Sequence, residues 1–312
     1  IIGFVFLVKG ADAFVEGSAS LAKKFKVPTI LIGLTVVAFG TSAPEAAVSI
    51  TATINGSSNI SIGNIVGSNM FNMLVVIGIA AMIKPINIKI KTILKEIPFL
   101  LLASITLFIL SMDVKFNNSN INQLALGDGI ILLLIFLVFL YYLVELAITS
   151  KDSSKEFDEN INEQPLLKSI LFGAIGLIGI IWGSDIVVNS GSHIAKSLGM
   201  SETLVGISII AVGTSLPELA TSMVAAFKGE SDIAVGNAIG STMFNTLLIL
   251  GLASVINPIV VEQKIFTDLI FVICSIILVY FFAITNKKTV RWEGFILILL
   301  YIGYLIFVVL RN

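Results

Sequence analysis

Cysteine and histidine occur once each in this chain of 312 residues, as Cys274 and His193, and charged side chains make up only 12% of it. A single cysteine cannot close an internal disulfide, and the two side chains together fall short of the three or four ligands that a zinc site takes. The redox compartment is therefore not legible, and Cys274, inside an apolar run, reads as a small packed hydrophobe. No H-E-x-x-H run occurs, and the serines and threonines near an acid have no histidine beside them. Neither enzyme chemistry nor a resident cofactor is expected. The scarcity of charge also excludes an ordinary soluble domain, in which about a quarter of the residues are charged. With 56% hydrophobic residues and a mean hydropathy of +1.03, the chain is an integral membrane protein. Its net charge of −1 identifies no partner beyond the lipid bilayer, and neither nucleic acid nor a protein partner is inferred.

What the chain has in abundance is long apolar sequence. Windows between polar breaks mark ten candidate spans, near residues 1–22, 28–54, 60–83, 94–112, 124–149, 166–195, 203–227, 233–256, 265–285 and 292–310. Each is close to the roughly 20 residues that a crossing helix needs, so none reads as a signal peptide. The opening isoleucine suggests a start downstream of the native one, and nothing is built on that terminus. Ten spans put both termini on one side. Odd-numbered connections hold Lys23, Lys24, Lys26, Lys84, Lys89, Lys91, Lys95, Lys151, Lys155, Lys168, Lys228, Lys287, Lys288 and Arg291. The other side holds only Lys115, Lys196, Lys264 and Arg311. Because cytoplasmic loops carry the excess of Lys and Arg, both termini are expected outside a plasma or inner membrane. The polar run "SKDSSKEFDENINEQP" at 150–165 then reads as a flexible cytoplasmic linker between a half at 1–149 and a half at 166–312.

Those halves repeat one another. "GLTVVAFGTSAPEAAVS" (33–49) aligns with "GISIIAVGTSLPELATS" (206–222), and "SIGNIVGSNMFNML" (61–74) with "AVGNAIGSTMFNTL" (234–247), at a constant offset of 173, the difference between 218 and 45. The offset holds without a gap from Gly10 and Gly183 to Pro85 and Pro258. Roughly 30 of about 75 positions are identical, which marks a duplication. Equivalent positions lie five spans apart, and five is odd, so the second half is inverted in the membrane relative to the first. Inverted repeats with matched helix interruptions are a transporter architecture, with the site at the interruptions.

Here the interruptions are the two GTS-x-PE segments. Pro44 removes a backbone donor and crowds the carbonyl of Gly40, so the helix is expected to break across Gly40, Thr41 and Ser42. Irregular backbone at membrane depth is tolerated only inside protein or beside a wet cavity. Freed carbonyls, the hydroxyls of Thr41 and Ser42 and the Glu45 carboxylate form an all-oxygen set, doubled by Thr214, Ser215 and Glu218. Such sets suit hard cations of the size of Ca²⁺ and Na⁺. The competing reading is a helix capping box, which Ser42-x-x-Glu45 and Ser215-x-x-Glu218 both match. An acid inside a span costs at least about 2.5 kcal/mol to insert, so two at mirrored depth favour ion binding.

In the second motif Asn64, Ser68 and Asn72 form one stripe at helical spacing, mirrored by Asn237, Ser241 and Asn245. Gly63, Gly67, Gly236 and Gly240 beside it read as packing glycines, whose close approach would bring Ser68, Asn72, Ser241 and Asn245 towards the carboxylates. Asp12 and Asp185 also repeat, but near span ends, where Lys9 offers Asp12 a structural pairing; His193 has no mirror partner, since Ser20 stands there.

At these residues the chain resembles the calcium/cation antiporter superfamily, and within it the sodium/calcium exchanger branch of prokaryotic type. The resemblance implies an all-α bundle of ten transmembrane helices in two inverted five-helix repeats. It implies exchange of Ca²⁺ for Na⁺ by alternating access at a midplane site. Carried over by position, Glu45 and Glu218 would bind Ca²⁺ with the backbone oxygens of Thr41 and Thr214. Ala38 and Ala211 backbone oxygens, with Ser42, Ser68, Ser215 and Ser241, would frame flanking Na⁺ sites, and Asn72 and Asn245 would complete the middle. Potassium-dependent relatives carry an aspartate at one of these two amide positions. With both amides here, the central charge is −2 when both glutamates are ionised, which suits one Ca²⁺ without K⁺. The proton-coupled branch typically has a glutamate in its GN motif, where this chain reads "GNIVGS" and "GNAIGS". Sodium is therefore expected over protons. A Ca²⁺/H⁺ antiporter is the alternative, because protons compete with metals for carboxylates; a cation channel is the alternative of another class. Three Na⁺ per Ca²⁺ would make the exchange electrogenic.

Overall fold

The computed structural model describes residues 2–116, 120–150, 165–197 and 211–311. The linker expected at 150–165 lies almost wholly outside the described residues. Helix α1 covers Ile2–Phe25, and α2 (Thr29–Thr41) and α3 (Ala43–Ile54) are two arms of one bent span. They are followed by α4 (Asn59–Ile83), α5 (Thr92–Leu110) and α6 (Leu126–Ser150). The second half comprises α7 (Leu166–Ser197), the short α8 (Ala211–Thr214), α9 (Leu216–Lys228), α10 (Ser231–Ile256), α11 (Gln263–Asn286) and α12 (Arg291–Arg311).

Among the described residues seven helices are long and apolar enough to cross a bilayer, and the α2–α3 pair makes an eighth. The expected first span, α1, is one continuous helix but carries Lys9, Asp12 and Glu16 in its middle. The span expected at 203–227 is described only from residue 211. Helix ends fall within about three residues of the apolar windows wherever both are defined, as expected from fraying ends.

The motif helices form the interior. In an 18-residue stretch of α4 and of α10, 83% and 78% of residues are buried, against 22% in α7 and α12, whose apolar side chains turn outward to lipid. Cys274 on α11 is one of these outward residues, contrary to its expected packing, because α11 is interior on one face only. The α1–α7 pair crosses so closely that glycine is required: a Cβ on Gly10 would stand 2.7 Å from the Ile180 amide nitrogen, and one on its mirror mate Gly183 would stand 2.6 Å from that of Leu7. The α10 glycines pack likewise, Gly236 against Gly33 and Gly240 against Leu34 and Ala38, as expected for that half of the stripe, whereas among the described residues nothing lies within 4 Å of where a Cβ on Gly63 or Gly67 of α4 would stand.

Two small antiparallel ladders tie the connections. Ile86 and Asn87 pair with Thr289 and Lys288, and Gln123 and Leu124 pair with Val260 and Ile259. The first joins the connections after the third and ninth expected spans, and the second those after the fourth and eighth. Both agree with an alternating ten-span parity.

Candidate ion-binding site

Between α2 and α3 the chain turns at Ser42, with φ −80° and ψ 3°, and the two arms differ in direction by 49°. Ser215 repeats the turn between α8 and α9 with φ −91° and ψ 6°. Pro44 and Pro217 each stand in the first turn of the following helix, where the missing N–H is harmless. Glu45 and Glu218 sit one turn in, both fully buried.

The capping box does not form. Neither Ser42 nor Ser215 caps its own helix with its side chain; each hydroxyl crosses to the other half. Ser42 Oγ donates to Glu218 Oε1 at 3.1 Å, and Ser215 Oγ donates to Glu45 Oε1 at 3.0 Å. The same oxygens take a serine from the second motif of their own half, Ser68 to Glu45 at 3.4 Å and Ser241 to Glu218 at 3.3 Å. Ser241 also reaches the Ala38 carbonyl at 3.4 Å, so that predicted backbone ligand lies at the site. Its mate Ala211 opens the short helix α8.

A frame of amides holds the breaks. Asn237 Oδ1 accepts from Thr41 Oγ1 at 2.9 Å, while its Nδ2 donates to the Glu218 carbonyl at 3.1 Å and to Ser222 Oγ at 2.9 Å. Asn64 repeats this set with Thr214, the Glu45 carbonyl and Ser49 at 3.3, 3.4 and 3.0 Å. The hydroxyls of Thr41 and Thr214 thus join the frame, and that of Thr41 also lies 3.4 Å from Ser241 Oγ. Asn64 and Asn237, already in the polar stripe, act as braces.

Asn72 and Asn245 lie where α4 and α10 widen into π-type turns, at Asn72–Val76 and Phe244–Ile249. Such turns recur at functional sites because they re-aim side chains. Both residues are fully buried. Four buried oxygens at this centre have no hydrogen-bond partner among the described residues, Glu45 Oε2, Glu218 Oε2, Asn72 Oδ1 and Asn245 Oδ1, and neither has the nitrogen Asn72 Nδ2. All four are acceptors, two from carboxylates, and hydroxyls occupy the remaining carboxylate oxygens. That donor set fits a hard cation as substrate. Among the described residues no cluster of three or more His, Cys, Asp or Glu forms, so the site depends on amide and hydroxyl oxygens beside two acids.

The chain as a whole is similar to known proteins. The model of the family described as sodium/calcium exchanger protein matches residues 1–145 and 168–310. The chain belongs to the sodium/calcium exchanger family. It is 32% identical to the sodium/calcium exchanger MaX1 of Methanosarcina acetivorans over 98% of this chain and 96% of that one. It is 33% identical to the inner membrane protein YrbG of Escherichia coli, covering 83% of this chain and 79% of that one. A solved structure of the sodium-calcium exchanger NCX_Mj superposes with a TM-score of 0.83 at 32% identity, covering 97% of this chain and 95% of that one. This family member is accordingly a membrane transporter and not an enzyme, folded as an all-helical exchanger.

Two residues at the centre escaped the sequence reading. Asn69 and Thr246 are buried beside Asn245, but their mirror positions hold Thr242 and Met73, so the repeat did not single them out. The pairing expected for Asp12 is also redirected. Asp12 Oδ1 is 2.8 Å from Lys228 Nζ at the end of α9, a contact across the fold that Lys9's sequence proximity hid.

Proposed function

We propose that this exchanger moves Ca²⁺ against Na⁺ by alternating access at the site between the two halves. The observation that carries the reading is the set of four unpartnered buried oxygens, contributed symmetrically by Glu45, Asn72, Glu218 and Asn245. Glu45 and Glu218 would bind Ca²⁺ together with the backbone oxygens of Thr41 and Thr214, and Na⁺ would use overlapping positions framed by Ala38, Ala211, Ser42, Ser68, Ser215 and Ser241. With two amides at the centre the charge to neutralise is −2, which one Ca²⁺ or more than one Na⁺ satisfies. Two bare carboxylates crossing apolar barriers carry a penalty of several kcal/mol per ion, so the unloaded site resists switching and exchange becomes obligatory. Three Na⁺ per Ca²⁺ would move one net charge per cycle, worth about 2.3 kcal/mol per 100 mV.

In this reading the halves are residues 1–149 and 166–312, joined by a cytoplasmic linker at 150–165, with both termini outside the cell membrane. A cavity of about 460 Å³ lies along α3, lined by Ala47, Val48, Thr51 and Asn55 among others. The mirror face of α9 is covered by α1.

The test is ⁴⁵Ca²⁺ uptake into proteoliposomes loaded with Na⁺, K⁺ or an acid interior and diluted into choline medium. Uptake is expected only with internal Na⁺. Uptake driven by acid with Na⁺ inert would replace Na⁺ coupling by proton coupling, and uptake with no counter-ion would indicate a channel.

A further inference from the structure

The mirror symmetry of the site fails at one polar chain. Asn69 on α4 is 2% exposed and adjoins Ser68. Its Oδ1 accepts from Asn245 Nδ2 at 3.2 Å, and its Nδ2 donates to Thr246 Oγ1 at 2.9 Å. Asn245 Nδ2 also donates to Ser68 Oγ at 3.1 Å, so its NH₂ group has two acceptors. Only Oδ1 of Asn245 is left, buried and without a protein partner.

Among the described residues nothing equivalent surrounds Asn72. The mirror of Asn69 is Thr242, whose hydroxyl returns to the Ala238 carbonyl of its own helix at 2.8 Å. The mirror of Thr246 is Met73, whose thioether donates nothing. Both amide atoms of Asn72 are accordingly buried without partners among the described residues. Two amides at mirrored positions are thus held differently, one by its nitrogen and one by neither end.

The difference matters because an amide, unlike a carboxylate, has a wrong end. Turned about its last torsion it aims two N–H donors at a cation, and a site that must choose between the two orientations loses affinity to that choice. We propose that Asn69 is a positioning residue for cation binding: by accepting from Asn245 Nδ2 it directs the Asn245 oxygen at the ions, with Thr246 holding Asn69 in turn. Asn245 is then a fixed ligand and Asn72 an adaptable one. This rests on the exchange reading above.

The test is a double-mutant cycle on the full chain, because a carboxylate at position 245 needs no orienting. Asn69→Leu alone is expected to raise the Ca²⁺ concentration for half-maximal Na⁺-driven uptake about tenfold, the equivalent of one ligand-orienting hydrogen bond, with less than about a twofold change in maximal rate. In the N245D background the same substitution is expected to change it by less than about twofold. Equal losses in both backgrounds would make Asn69 a packing residue and overturn the proposal, as would no loss in the wild-type background. If N69L does not survive solubilisation, Thr246→Val is expected to weaken Ca²⁺ binding about threefold, through a loosened Asn69; no change would overturn the proposal. Calorimetric Ca²⁺ titration of the purified variants runs the same cycle without transport. Failure of Na⁺-driven uptake in the wild type would therefore sink the exchange reading while the orienting role is still decided.

Discussion

Glu45 and Glu218 have matched chemical surroundings, while the helices that carry them do not have matched packing. Each carboxylate takes one serine from its own half and one from the other, and each keeps one bare oxygen. On α9, however, Thr221 is fully buried and Lys228 is paired with Asp12 and lies 3.8 Å from Glu16, both on α1. On α3 the mirror positions Val48 and Asn55 line a cavity. The comparison teaches that duplication kept the surroundings of the two carboxylates alike and left the packing of the helices that carry them unequal. Lys228, held by Asp12 on α1, has an uncharged asparagine, Asn55, at its mirror position.

Substitutions at the carboxylates test the matched part and should have the largest effect. Glu45→Gln and Glu218→Gln are each expected to lower Na⁺-driven Ca²⁺ flux at least about 100-fold, because either removes half of the central charge. Wild-type flux in one of them would show that the two acids are not equivalent and would refute the site. The bracing amides should separate the halves more modestly. Asn237→Ala breaks three bonds of 2.9–3.1 Å at a fully buried position, whereas those of Asn64 are 3.0–3.4 Å at a half-buried one. N237A is therefore expected to lose about 1–3 kcal/mol of stability, more than N64A, as measured by thermal unfolding in detergent. Equal losses would dissolve that distinction.

The smallest effect should come from the unequal part. With Cys274 replaced by serine, T51C is expected to react with a small maleimide faster than its mirror V224C. Lys228→Asn should then raise V224C labelling about two- to threefold, since a partly exposed ion pair contributes up to about 1 kcal/mol. Labelling of V224C that ignores the substitution would remove Lys228 from the account of the closed side.

Much of the site was legible because repetition marks function twice. Glu45 with Glu218, Ser68 with Ser241 and Asn72 with Asn245 stand out in sequence by recurring at one offset; all six are buried, and hydrogen bonds join Ser68 to Glu45 and Asn245 and join Ser241 to Glu218. The same logic concealed what is not duplicated. Asn69 and Thr246 have unlike mirror residues, and nothing in one helix reveals that their partner Asn245 approaches from another. Nor could sequence tell whether the S-x-x-E of Glu45 closes a capping box; the crossing of Ser215 to Glu45 shows that it does not.

By itself, then, the sequence determined membrane residence, the duplication, its inverted parity and the oxygen chemistry of the centre, since these follow from apolar run length, a constant offset, an odd span count and residue type. The tertiary structure alone decided which serine serves which carboxylate, which amide is held by its nitrogen, and that α1 packs against α9. Those depend on contacts between helices far apart in the chain, where a rotation of one helix by a single residue exchanges one set of partners for another.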